Sequence, residues 1–199
     1  MFEKFLFLIA TYLICSIPFG LLLTKFVTKQ DLRDLGSKNI GATNVSRVAG
    51  KKLGLITLIL DGLKGAIMVI IAHFAFADSS HPDMFIMLVA LVAVLGHCYS
   101  LYLKFNGGKG VATAIAVMLA INPLVGIFTI LIWVLSFLIY RISSIASLCS
   151  TLLAIAFGLY ANAPIEQIFL FIALFALIAF RHKENIDRLI KGEEKKMNI

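Results

Sequence analysis

Charge is what this sequence has little of. Asp, Glu, Lys and Arg together make up 15% of its 199 residues, against 60% that are hydrophobic. A soluble domain of that size needs far more polar surface, so the apolar excess must face lipid. Acidic residues are the scarcer sign, 11 against 18 basic, for a formal net charge of +7. In a soluble chain that balance points to nucleic acid. Here the aromatic residues lie inside hydrophobic runs, so the basic charge marks loops at an anionic membrane surface. Cysteine is also sparse. Cys15, Cys98 and Cys149 lie apart, within or beside apolar stretches, and their spacing matches neither a disulfide framework nor a metal site. They read as small core residues. Missing, finally, are the positive leader and small-residue cleavage site of a signal peptide. Residues 5–23 are apolar and preceded only by Glu3 and Lys4 as charges, which predicts a retained helix.

What is present is a series of long apolar runs. A spanning helix needs roughly 20 such residues. Residues 5–23 and 84–103 qualify outright, and 53–77 qualifies despite Asp61 and Lys64 within it. The run 111–140 is too long for one span, and Asn122-Pro123 predicts a break into a short helix, 111–121, and a longer one, 124–140. Residues 142–160 and 165–180 complete an expected seven helices, or five or six if the short segment is re-entrant or a span is merged. The short one rises only about 16 Å, so its end must be buried in protein rather than lipid. The fold class expected is therefore all-α and polytopic, one membrane domain over residues 1–199.

The basic residues set the orientation. Of the 18 Lys and Arg, all but Lys4 and Lys64 lie in the first loop, after the third span, at Arg141, or in the tail from Arg181 onward. The opposite connections, 78–83 and 161–163, have none. The positive-inside rule then places the basic loops and the C-terminus in the cytoplasm and the N-terminus outside, which an odd number of spans allows.

Three polar segments share that cytoplasmic face. The first is Gly36-Ser37-Lys38-Asn39-Ile40-Gly41-Ala42-Thr43-Asn44-Val45-Ser46-Arg47, whose small residues, hydroxyls and arginine suit an anion such as phosphate. The second runs Gly96-His97-Cys98-Tyr99-Ser100, then Phe105-Asn106-Gly107-Gly108-Lys109-Gly110-Val111-Ala112-Thr113. A Gly-Gly-Lys-Gly turn opening a helix gathers amides, the helix dipole and a lysine at one point. It is not a Walker A loop, since no strand or αβ unit accompanies it. The third is Arg181-His182-Lys183-Glu184-Asn185-Ile186-Asp187-Arg188-Leu189, where helical spacing puts His182, Asn185 and Leu189 on one face beside Arg188. Each alone has a plainer account: a flexible loop, a helix cap, a basic amphipathic tail on anionic lipid. A structural protein has little reason to gather all three on one side. Read from the residues, they make a two-anion site.

At these residues the chain resembles the bacterial membrane glycerol-3-phosphate acyltransferases that use acyl phosphate as donor. The family's Gly-Ser-x-Asn-Ile-Gly-Ala-Thr-Asn-Val-x-Arg loop is matched at 36–47 and its Gly-His to Gly-Gly-Lys-Gly-Val-Ala-Thr block at 96–113. Its His-x-x-Asn-Ile-x-Arg-Leu segment is matched at 182–189. Ser16-Ile17-Pro18-Phe19-Gly20 and Leu60-Asp61-Gly62-Leu63-Lys64-Gly65 also look like the family. Lys38 and Cys15 stand where glycine is common. The resemblance implies seven helices in the bacterial inner membrane and acyl transfer from acyl phosphate to glycerol 3-phosphate. The products it implies are lysophosphatidic acid and phosphate. It implies no cofactor and no metal, and it makes the soluble enzyme that produces acyl phosphate a natural partner; nucleic acid is not one.

Acyl phosphate is a mixed anhydride with a good leaving group. The protein therefore needs only to hold two anions together and stabilise developing charge. Lys109, Arg47 and His182 are expected to carry the chemistry. Ser37, Gly41, Thr43, Gly107, Gly108 and Lys109 are expected to bind acyl phosphate. Asn39, Arg47, His182, Asn185 and Arg188 are expected to bind glycerol 3-phosphate. The base is either His182 or a substrate phosphate. His97 and Ser100 lack a paired acid for a nucleophile's role, and with Asp61 and Lys64 they are expected to support the site. Asp61 and Lys64, at i and i+3, are expected to pair, with Arg47 as a second partner for Asp61. Pro18 is expected to kink the first helix. The His-x4-Asp spacings at His73…Asp78 and His182…Asp187 read as coincidental. The competing reading is a transporter or channel for a phosphorylated anion. Such sites lie near the midplane between repeats, and no repeat is visible here.

Overall fold

The computed structural model describes residues 1–197, and among them every regular element is helical. The order is α1 (Phe2–Cys15), α2 (Phe19–Thr28), α3 (Ala42–Ala49), α4 (Lys51–Ala75), α5 (Pro82–Cys98), α6 (Val111–Ile121), α7 (Pro123–Tyr140), α8 (Ser143–Tyr160), α9 (Ile165–Arg181) and α10 (Lys183–Ile190). Single 3₁₀ turns lie at Leu32–Asp34 and Leu101–Leu103. Five segments are long and apolar enough to cross a membrane: Phe2–Thr28, Lys51–Ala75, Pro82–Leu103, Pro123–Tyr140 and Ser143–Tyr160. α9 joins them only together with α10, from which it is bent by 63°. The chain is thus an integral membrane protein with five or six such spans, plus the short apolar α6.

The expected first helix is two. Ser16-Ile17-Pro18 interrupts it because proline has no N–H to donate and disfavours helical backbone in the residue before it. Two carbonyls at the break are taken up by side chains from elsewhere: Ser100 Oγ donates to Ser16 O (2.5 Å) and Lys64 Nζ to Ile17 O (2.8 Å). In lipid an unpaired carbonyl is expensive, so a break at this depth needs such partners. The first polar loop is also more ordered than its composition implies. Within it α3 forms, and the buried Asn44 side chain pins the preceding turn, donating to Leu35 O (3.0 Å) and Asn39 O (2.8 Å) and accepting from Ser37 N–H (2.9 Å).

α4 shows how the bundle sorts its faces. Thr57, Asp61, Lys64, Gly65, Met68 and Ala72 are buried, while Leu55, Leu63, Ile67, Ile70 and Phe74 are exposed towards lipid. Gly65 lies so close to α6 that an added Cβ would fall 2.6 Å from Thr113 Cγ2, and such small residues are what let membrane helices approach. Val69, Val89, Val94, Val117, Phe171 and Leu174 fill the centre between α4, α5, α6 and α9. α6 ends at Asn122, whose Oδ1 accepts from Val125 N–H (3.2 Å) and whose amide donates to Gln167 Oε1 (2.9 Å). From this shared turn α6 rises about 16 Å and α7 about 27 Å. The helix opened by the Gly-Gly-Lys-Gly loop is therefore about 10 Å shorter than α7.

Candidate functional site

The loop at residues 107–110 is held from both sides. Gly107 N–H donates to Cys98 O (3.1 Å) and Gly108 N–H to His97 O (3.0 Å). On the other side, Arg181 Nε donates to Gly108 O (3.1 Å) and its Nη2 to Gly107 O (2.9 Å), with the guanidinium lying over the Tyr99 ring. The amides of Gly107 and Gly108, and that of Gly41, which donates to Asn39 Oδ1 (2.8 Å), thus have partners within the chain. Glycine at 108 is required because a Cβ would collide with the His97 ring. The loop's two-sided clamp fixes where Lys109 points.

Lys109 Nζ donates to Asn185 Oδ1. Asn185 Nδ2 donates to Glu194 Oε1 (2.5 Å), Arg188 Nε to Glu194 Oε2 (2.6 Å) and Ser144 Oγ to Glu194 Oε1 (2.9 Å). Thr43, at the start of α3, joins the rim by sharing a hydrogen bond with Ser143 Oγ (3.1 Å) at the start of α8. So Asn185, Arg188 and Ser144 meet around one carboxylate, and Lys109, from a distant segment, joins them through Asn185. Burial pushes the Lys109 ammonium down to about 8, with Glu194 opposing and Arg188 adding to the fall. Burial would raise the Glu194 carboxyl, but its hydrogen bonds from Asn185, Arg188 and Ser144 prevail and hold it below the usual carboxylate value.

His182 lies at the bend between α9 and α10, buried beside this cluster. Its Nδ1–H donates to Ile178 O (2.8 Å), which leaves Nε2 with the lone pair. Arg47 is exposed and placed differently. It donates to Lys195 O (3.3 Å) and, with Ser46, Lys51 and Lys196, lines a pocket of about 380 Å³. It does not reach Asp61. Ser37 is exposed on the loop that Asn44 organises.

Asp61, Lys64, His97 and Ser100 form a buried network between the α1–α2 break and the loop. Lys64 Nζ donates to Asp61 Oδ1 (2.8 Å), with each side chain 3% exposed. Thr113 Oγ1 donates to Asp61 O (2.8 Å) at the start of α6, and His97 Nδ1 stands 3.6 Å from Asp61 Oδ1. His97 also backs Gly108, so the network reaches the loop from beneath. Among the described residues no three His, Cys, Asp or Glu side chains converge as a metal site would require.

Sequence reasoning missed Ser143, Ser144 and Glu194 as members of this region, and it placed Asn44 and Arg181 in the polar segments without assigning either a role. Ser143 and Ser144 carried a signal, two hydroxyls opening a helix on the basic side, but their partners are 100 and 50 residues away.

A family model described as "Glycerol-3-phosphate acyltransferase" matches residues 5–192. Among curated relatives of that name, the one from Aquifex aeolicus (strain VF5) is 44% identical, with 96% of this chain and 98% of the relative covered. The one from Anaeromyxobacter sp. (strain Fw109-5) is 42% identical, with 96% and 94% covered. Two crystal structures of PlsY, an integral membrane glycerol 3-phosphate acyltransferase, share the fold. Its glycerol 3-phosphate form superposes with a TM-score of 0.91 at 41% identity, covering 98% of this chain and 96% of that one. Its lysophosphatidic acid form does so at 0.89 and 40%, with the same coverage.

Proposed function

The chain belongs to the glycerol-3-phosphate acyltransferase family, and from that premise we propose that it moves a fatty acyl group from acyl phosphate to glycerol 3-phosphate. The products are lysophosphatidic acid (1-acylglycerol 3-phosphate) and phosphate. The observation that carries this reading is that Asn185 and Arg188 hold a single carboxylate with Lys109 hydrogen-bonded to Asn185 beside it, because the same groups suit a phosphate. Lys109, with Ser37 and Thr43, holds the acyl phosphate. Asn39, Arg47, Asn185 and Arg188, with His182, orient glycerol 3-phosphate. Asp61, Lys64, His97 and Ser100 keep the loop in place.

The proton of the attacking hydroxyl goes to a substrate phosphate. His182 is not set up as a base: its Nδ1–H is held by the Ile178 carbonyl rather than by the carboxylate that usually orients and activates a catalytic histidine. The Nε2 lone pair of His182 still accepts a hydrogen bond from the glycerol hydroxyl and so aims it. Transfer then needs no covalent enzyme intermediate: the hydroxyl oxygen attacks the acyl carbon, phosphate leaves, and nearby cations stabilise the charge it gathers.

In the membrane, the protein is a seven-helix unit of the bacterial inner membrane, counting α6 and α9. Its N-terminus is outside, and the basic loops, site and C-terminus are cytoplasmic. A soluble enzyme making acyl phosphate supplies the donor from that side.

Two measurements test this. Purified protein with labelled glycerol 3-phosphate is expected to make lysophosphatidic acid from palmitoyl phosphate and none from palmitoyl-CoA. No product from either donor, with uptake of label into proteoliposomes, would replace the reading with transport. The second is a pH profile. Lys109 holds phosphate only when protonated, and its value of about 8 in the free protein lies below that of an ordinary lysine. kcat/KM is therefore expected to fall as pH rises through about 8, and also below about pH 6, where a substrate phosphate takes up its second proton and can no longer accept the hydroxyl's. Lys109→Arg, whose guanidinium stays charged to above about pH 12, moves the alkaline limb upward.

A further inference from the structure

The carboxylate in the site belongs to the protein itself. α10 ends at Ile190, the chain turns at Gly192, and Glu193 N–H donates back to Arg188 O (2.8 Å). The segment then runs over the site. Glu194 takes hydrogen bonds from Asn185, Arg188 and Ser144, Lys195 O accepts from Arg47, and Met197 N–H donates to Arg141 O (2.8 Å). This strap touches the ends of α3, α8 and α10, and so spans the rim of the site. Among its described residues the carboxylate turned inward is that of Glu194, 10% exposed, and it makes charge-assisted hydrogen bonds of the kind a phosphate makes.

We infer that the C-terminal segment is a built-in competitor: the Glu194 carboxylate occupies a substrate phosphate's place on Asn185, Arg188 and Ser144, beside Lys109, and must leave before substrate binds. The inference rests on the two-anion reading of the site. In the empty site the carboxylate offsets crowding of Lys109, Arg181 and Arg188, which would otherwise repel one another. A phosphate dianion brings more charge and more acceptor oxygens to the same donors, so it displaces a carboxylate at sufficient concentration. Lifting the strap also frees Arg47 from Lys195 O. Substrate affinity is reduced by the fraction of molecules in which the strap is down.

Calorimetric titration of the full-length protein in detergent with inorganic phosphate, and then with glycerol 3-phosphate, tests this without turnover. E194Q and a chain stopped after Gly192 are both expected to bind phosphate about fivefold more tightly than wild type. A peptide covering residues 190–197, added to the shortened chain, is expected to restore weak binding competitively, and the same peptide with E194Q is not. If E194Q fails to fold, the shortened chain and the two peptides still decide. Unchanged or weaker phosphate binding in the shortened chain, with no effect of the peptide, overturns the inference and makes Glu194 a brace. Failure of acyl transfer with tighter phosphate binding would overturn the reaction but leave the competitor standing.

Discussion

Lys109→Ala is expected to lower kcat/KM by at least about 10³-fold while leaving the protein folded. Removing one well-placed donor to developing charge costs about 10²–10³ in other enzymes. In the reaction proposed above, Lys109, half-buried and hydrogen-bonded to Asn185, also holds substrate before it stabilises the leaving phosphate. The fold survives because Lys109 sits on a loop whose backbone is fixed by others: Cys98 O, His97 O and the Arg181 guanidinium hold Gly107 and Gly108 whatever the side chain at 109. Initial-rate kinetics with varied donor and acceptor, beside a thermal unfolding curve in detergent, check both halves. Near-wild-type turnover would remove Lys109 from the site, and a large fall in unfolding temperature would make its role structural.

The second large effect is on stability. Lys64→Met is expected to destabilise the protein by about 3–5 kcal/mol, the usual cost of leaving a buried charge without its partner. Asp61 is 3% exposed, and without Lys64 its remaining neighbour is His97 at 3.6 Å. The Ile17 carbonyl at the α1–α2 break also loses its donor. Replacing both charges, Asp61→Leu with Lys64→Met, is expected to recover most of the loss, because the pair's mutual attraction mainly repays its own desolvation. The fall in unfolding temperature should be roughly 10 °C for the single variant and much smaller for the double. Equal losses in both would mean that the cost lies in packing at α4 rather than in an orphaned charge.

The parts of this architecture legible in the sequence are those that local chemistry decides. α6 spans Val111–Ile121 as expected because Asn122 caps the next helix and Pro123 cannot donate to the last one. The pairing of Asp61 with Lys64 follows from i, i+3 spacing inside an apolar run. The three polar segments were visible because so few polar residues exist elsewhere. What stayed hidden depends on distant partners. The break at Ser16–Pro18 reads as a kink in sequence and becomes two helices because Ser100 and Lys64 satisfy its carbonyls. Nothing local tells that the Gly107 and Gly108 amides find Cys98 O and His97 O. Glu194 has no local pattern at all: its meaning comes from Ser144, 50 residues earlier in the chain.

The short α6 has one more consequence. In the reaction proposed above, a helix about 10 Å shorter than α7 would bring the loop carrying Lys109 towards the depth where a fatty chain's carboxyl end already rests. Drawing a sixteen-carbon chain out of lipid would cost on the order of 10 kcal/mol at about 0.8 kcal/mol per methylene. A recess spares that expense, and the product is made with its tail already in the leaflet. The two substrates then obey different measures of abundance. One is counted per area of membrane and is diluted by adding lipid; the other is counted per volume of water and is not. An eleven-residue helix where eighteen would fit is what lets both counts apply at a single point.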